Sequence, residues 1–147
     1  MIIYGIVTRS GVIIGEYGIT TDELSQEVLA IIQRNTSSGT RLVPMDGKTC
    51  AVMNKSINGE IISFASVIES SDERDISFNF LDSLANFYEK EQSNPKMKTE
   101  MNAFLSKQTK ILMEKANLYP SPKEKLHRLN DSMQKTTDIA KGSISKP

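Results

Sequence analysis

The chain opens with two runs rich in β-branched residues, 2–9 and 12–18, separated by Ser10-Gly11. Two such runs joined by a short turn predict a β-hairpin. The apolar spacing then lengthens to the helical repeat. Leu24, Val28, Ile31 and Ile32 mark one face of a helix over about 21–34, introduced by the capping-box pair Thr20 and Glu23. Residues 35–39 end it in a polar loop. Three strand candidates follow, at about 40–45, 48–54 and 60–68, divided by Asp46-Gly47 and Asn58-Gly59. Both dipeptides supply the positive φ that tight hairpins need. Pro44 has no amide to give to a ladder, which predicts that its strand lies at a sheet edge.

A second capping-box pair, Ser70 and Glu73, predicts a helix running to about 90, with Ile76, Phe80, Leu84 and Phe87 in one stripe and Leu81 and Tyr88 beside it. Ser93-Asn94-Pro95 breaks the chain, and a third helix is predicted over 96–116 from Met97, Met101, Phe104, Leu105, Ile111 and Leu112. Tyr119-Pro120-Ser121-Pro122 is a further break. Beyond it, Leu126, Leu129 and Met133 are spaced by three then four, the spacing of a coiled-coil seam, which continues weakly through Thr136, Ala140 and Ser143. The predicted order is β-β-α-β-β-β-α-α. Five antiparallel strands expose two faces. If the strand groups meet in the middle of the sheet, one helix covers one face and two cover the other, an α+β fold.

The 147 residues suit one domain, and 38% hydrophobic with 24% charged residues fits a packed core rather than disorder. Apolar runs reach about four residues, far short of the roughly 20 of a membrane-spanning helix. The start has no basic region or small-residue cleavage site, so it does not read as a secretory signal. A lone cysteine, Cys50, cannot build a disulfide framework and reads as a small apolar strand residue. Glycosylation-type triplets at Asn35, Asn54 and Asn130 read as chance matches in such a chain. Charge is unevenly placed: 7 Lys/Arg against 13 Asp/Glu in residues 1–93, and 11 against 5 in residues 94–147. The later lysines are spread singly along helical sequence with few aromatics, so they read as a solvated helix face and no nucleic-acid partner is expected.

No constellation for catalysis or metal binding stands out. His127 is the only histidine and sits in the polar tail between Leu126 and Arg128. No glycine-rich loop opens a helix to cradle phosphate, and no serine elbow occurs. Asp72, Glu73 and Asp75 cluster at a helix start, where acids complement the helix dipole. The expectation is a non-enzymatic protein with no catalytic residue, no metal and no cofactor.

The order of elements and several motifs resemble the longin domains of R-SNARE (synaptobrevin-like) proteins. The Met1-to-Val7 start and its hairpin look like theirs. The stretch from Arg74 through Phe78-Asn79-Phe80-Leu81 resembles the second helix of the tetanus-insensitive members. Arg34 to Arg41 with Cys50 looks like the prenylated R-SNARE. The similarity covers about 1–116, leaving 117–123 as a linker. Residues 124–147 resemble the start of a SNARE motif aligned on Leu126, Leu129, Met133, Thr136, Ala140 and Ser143, although Gly142 and Pro147 are poor helix residues there.

The resemblance implies a profilin-like longin fold and a regulatory, protein-binding role in vesicle trafficking and membrane fusion, on the cytoplasmic side of vesicles or endomembranes. It implies an apolar groove between the first helix and the third strand, mapped here to Leu24, Val28, Ile31, Leu42 and Pro44. Implied occupants are the chain's own SNARE-like segment in a closed state, other SNARE proteins, coat adaptors or trafficking regulators. Membrane contact would be made only by a region outside this chain. A longin-like scaffold subunit of a coat or tethering complex is the alternative.

Overall fold

The computed structural model describes residues 1–18, 22–70 and 73–118. In chain order the elements are β1 (Ile2–Arg9), β2 (Val12–Gly18), α1 (Asp22–Arg34), β3 (Gly39–Met45), β4 (Lys48–Ile57), β5 (Glu60–Ile68), α2 (Arg74–Lys90), the single turn α3 (Lys96–Thr99) and α4 (Met101–Leu118). The strands form one five-stranded antiparallel sheet in the order β2-β1-β5-β4-β3. The fold is α+β. Each group of consecutive strands is held by short turns, and the groups meet where β1 pairs with β5. The Asn58-Gly59 turn has φ 55° and 79° at its two residues, the left-handed pair that matches strand twist. It is tight enough to keep β4 paired through Ile57 against Glu60, three residues beyond the expected end of that strand.

Adjacent residues of a strand point to opposite faces, and the buried apolar residues divide accordingly. Tyr4, Ile6, Cys50, Val52, Ala65 and Val67 join Leu24, Val28, Ile31 and Ile32 of α1 in one cluster. Val7, Ala51, Met53, Ile62 and Phe64 join Ile76, Phe80 and Leu84 of α2 and Leu105 and Met113 of α4 in the other. Fully burying side chains of this size is worth about 1.5–3 kcal/mol each, so both clusters are substantial. Phe87, expected in the stripe of α2, is only half-buried and packs on Phe104 with ring centroids 5.3 Å apart.

The expected third helix is divided. Glu100 adopts φ −144° and ψ 45°, separating α3 from α4. The Thr99 hydroxyl donates back to the Pro95 carbonyl at 3.2 Å, a bond that bends helices. In an unbroken helix Met97 and Leu105 would project about 80° apart; with the break both are buried against the sheet. α4 also runs through Leu118, so the first two residues of the expected linker are helical. Asn117 there acts as an added strand unit: its amide oxygen accepts from the Ile2 amide at 2.9 Å and its amide nitrogen donates to the Ile2 carbonyl at 3.1 Å. Ile2 lies just beyond the reach of β2, whose pairing with β1 starts at Tyr4.

The capping pair Thr20 and Glu23 involves residue 20, outside the described residues. At α2 the cap position is Glu73, which makes no side-chain capping bond; its carboxylate pairs with the Met1 ammonium. The linker from 119 onward and the SNARE-like seam of 124–147 also lie outside the described residues, as does His127.

Candidate functional site

The two sheet edges differ. β2 is closed by α4. The Glu16 amide, on the outer edge of β2, donates to Ser106 Oγ of α4 at 3.0 Å. Gly15 allows this approach: a Cβ there would lie 2.7 Å from Leu105 Cβ and 3.3 Å from the α4 backbone. The Lys110 ammonium lies 5.7 Å from the centre of the Tyr17 ring. β3, at the other end of the sheet, pairs among the described residues with β4 alone. A proline sits in a strand where its nitrogen turns away from the ladder. By the two-residue alternation, the amides of Thr40 and Leu42 share the outward side with Pro44.

The position of β3 is set by the loop before it. Asn54 of β4 is buried, 3% exposed, and its amide nitrogen donates to the carbonyls of Asn35 and of Ser37, the latter at 2.9 Å. Its oxygen accepts from Ser63 Oγ at 2.6 Å. Asn35 in turn donates to the Ile31 carbonyl at 2.7 Å, closing the end of α1. Arg41 donates to the Ser37 carbonyl at 3.3 Å. A buried polar group is tolerated because it is fully bonded, and here the bonds tie the end of α1 to the start of β3. The asparagines of two glycosylation-type triplets, Asn35 and Asn54, both take part in these bonds.

Opposed residues of an antiparallel pair share a face, which fixes the side each β3 residue presents. Val43 opposes Cys50 and Arg41 opposes Val52, both on the α1 side; Met45 follows by alternation. Leu42 opposes Ala51, on the side of α2 and α4, and packs partly against that cluster. The structure therefore brings Leu24, Val28 and Ile31 together but separates Leu42 and Pro44 from them. Leu42 is half-buried on the opposite face, and Pro44 is exposed on that face too. The reason is register. The two-residue Asp46-Gly47 turn pairs Met45 with Lys48 and so places odd-numbered β3 residues toward α1. Val28 is fully buried and forms floor rather than rim.

Ile31, 3% exposed, belongs to the floor with Val28, and the surface that results has Leu24, 9% exposed, on the helix and Val43 and Met45 on the strand, all in one cluster with Cys50 and Val52. Val43 and Met45 are half-buried, like Leu42. Ser25 contacts the Tyr4 hydroxyl at 3.3 Å on the side of β1 and β2, so the helical repeat turns Glu27 the other way, toward β4 and β3. Glu27 also acts on Cys50: burial, and then the Glu27 carboxylate, push the thiol up to about 12. The Tyr4 phenol, held by burial and a hydrogen bond to Glu16, sits well above its ordinary range as well. Both groups stay neutral at physiological pH and serve packing. Val43, Met45, Arg41 and Glu27 also lie on the α1 side, and the two-residue turn at Asp46-Gly47 is the sequence signal that places the strand residues there.

Among the described residues this arrangement sets an apolar strip beside the β3 edge, with the acidic Glu27 and the basic Arg41 near it. Among the described residues no group of three or more histidine, cysteine, aspartate or glutamate side chains is placed to hold a metal. No helix among them is long and apolar enough to cross a membrane. No known family model matches the chain, and no curated protein matches it.

Proposed function

We propose that this chain is the longin-type, profilin-like regulatory domain of an R-SNARE, acting without enzymatic chemistry in vesicle trafficking and membrane fusion on the cytoplasmic side of endomembranes. What carries the reading is the asymmetry of the sheet. One edge is sealed by α4, while the other, on the α1 side of the sheet, is covered by no element among the described residues. The element order, with α1 between the two strand groups and β1 against β5, supports it. An extended segment laid along β3 would gain backbone hydrogen bonds from the outward amides and bury its alternate side chains against Val43, Met45 and the rim at Leu24. The occupant in a closed state is the chain's own SNARE-like segment; adaptors, trafficking regulators or other SNARE proteins would compete with it.

The test is a spin label at Ser132→Cys in the full chain, read by amide signal loss. The native Cys50 thiol is buried and leaves the new cysteine as the reactive one. The proposal expects broadening at Glu27, Ile31, Val43 and Met45, and none along α2. Broadening spread evenly over the domain, or none, would refute the closed form.

A second reading, a longin-like scaffold subunit of a coat or tethering complex, draws on one observation: residues 1–118 alone supply helices to both apolar clusters. It expects no broadening from the label and tight association with a second folded subunit.

A further inference from the structure

Where β1 runs out and the β4–β5 turn meets the end of α2, the fold encloses a cavity of about 190 Å³. It lies on the α2 side of the sheet and is independent of the reading above. Its floor is Tyr88 of α2 and Met97 of α3, 3% and 4% exposed, and the half-buried Ile57 and Met101 are its apolar walls. The turn side is fixed by side chains. Asn58 donates to Gln92 Oε1 at 3.2 Å, and Gln92 donates to the Tyr88 carbonyl at 2.7 Å, which ties the turn to the end of α2.

Donors without acceptors converge on this cavity. A buried tyrosine hydroxyl usually finds a partner, yet that of Tyr88 makes no hydrogen bond among the described residues. Nor is it sealed from solvent: the buried side-chain atoms left without a bond among the described residues are Thr8 Oγ1 and Arg41 Nε. A tyrosine so deeply buried, lining a cavity with an unsealed hydroxyl, presents that hydroxyl to the cavity. On the rim, Lys98 is exposed and makes no ion pair among the described residues. Arg9 approaches Glu60 through Nε at 3.6 Å, which leaves its two terminal nitrogens for another acceptor.

Charge and size narrow the ligand. The charged side chains lining the cavity are Arg9, Lys98 and Glu60, two positive against one negative. Glu89, Glu91 and Glu100 do not line it; Glu89 pairs with Lys55 at 2.9 Å, and Glu91 accepts from Asn94 at 3.3 Å. A monoanion matches that balance, whereas the further charge of a phosphate group would meet Glu60 uncompensated. The volume falls below the roughly 300–1,000 Å³ of a drug-sized pocket, so it suits one residue rather than a helix or a cofactor. Methionine walls adapt to apolar groups of differing shape. A chain's last residue carries an apolar side chain and a carboxylate on one carbon, so it fills both halves of such a cavity.

We infer that this cavity receives the apolar C-terminal residue of a partner polypeptide, its side chain against Ile57, Met97 and Met101 and its carboxylate accepting from Tyr88 Oη, Lys98 and Arg9.

The probe is a short glycine-serine peptide ending in leucine, made with a free carboxylate and as the C-terminal amide. It is titrated into the full chain and read by methionine methyl NMR signals. The acid should shift Met97 and Met101 saturably and leave Met45, beside β3, unmoved. The amide should bind about tenfold more weakly or worse, the loss of charge-assisted bonds. Tyr88→Phe should weaken the acid about tenfold with no fall in melting temperature, because that hydroxyl bonds nothing in the described fold. Lys98→Ala should weaken it about two- to fivefold. If neither peptide shifts Met97 and Met101, if acid and amide bind alike, or if Tyr88→Phe holds the acid as tightly as the parent, the inference is wrong. Inorganic phosphate that shifts the same methyls at lower concentration than the acid would overturn it in favour of a phosphate ligand.

Discussion

Gly15→Ala tests how firmly α4 seals the sheet. The new methyl group would sit 2.7 Å from Leu105 Cβ and 3.3 Å from both the Leu105 carbonyl carbon and the Ser106 amide nitrogen. Two of those three atoms are helix backbone, so a side-chain rotation does not relieve the overlap and α4 must move outward. Overpacking of this kind costs about 1–3 kcal/mol. Movement also stretches the bond from the Glu16 amide to Ser106, worth about 1 kcal/mol. Alanine returns up to about 1 kcal/mol by restricting the unfolded chain, so the net loss should be about 1–3 kcal/mol. For a domain of this size that lowers the melting temperature by about 3–10 °C. The assay is thermal unfolding together with hydrogen exchange at the Glu16 amide. Ser106→Ala is the companion variant: it should accelerate exchange at Glu16 with a smaller fall in stability, since no overlap is created. A Gly15→Ala protein that melts with the parent and keeps Glu16 protected would refute the seating of α4 on β2.

Other expectations follow from the same contacts. Asn54→Ala removes three hydrogen bonds from a buried position; it should cost about 2–4 kcal/mol and speed exchange along β3 more than along β2, as measured by exchange mass spectrometry. Cys50 should react with a thiol reagent at pH 8 only at the rate of unfolding, and a fast reaction in the native protein would contradict its burial. Because the folded thiol ionises near 12 while an exposed one ionises near 8.5, the unfolded state holds fewer protons between those values and stability should fall as pH rises through that window. Denaturant melts at pH 8, 9.5 and 11 check the sign, and Cys50→Ala should flatten the slope.

Much of the fold was legible in local pattern. The β-branched runs, the Asn-Gly and Asp-Gly dipeptides and the helical spacing at Leu24, Val28 and Ile31 each reflect a short-range physical rule, and the strands and α1 lie where those rules put them. The break at Glu100 was not legible: the apolar residues on either side of it read as one stripe, and the bend depends on where Met97 and Leu105 meet the sheet. The sidedness of β3 was a closer matter. Arg41, Val43 and Met45 alternate with Thr40, Leu42 and Pro44, and each set contains apolar residues, so composition does not choose between faces. The choice comes from pairing with Cys50 and Ala51, and from which of those two α1 covers. The sealing of β2 rests on Gly15 and Ser106, two small residues 91 positions apart by their numbers, whose meeting is tertiary and leaves no local signature.

The central claim is that the strip formed by α1 and β3, and not the other face of β3, holds the segment that follows α4. Hydrogen exchange of residues 119–147 in the full chain tests it, with Met45→Glu and Leu42→Ser as a matched pair on opposite faces of one strand. The account predicts protection of that segment in the parent and in Leu42→Ser, and its loss in Met45→Glu. Free exchange in all three, or loss in Leu42→Ser with retention in Met45→Glu, would contradict it.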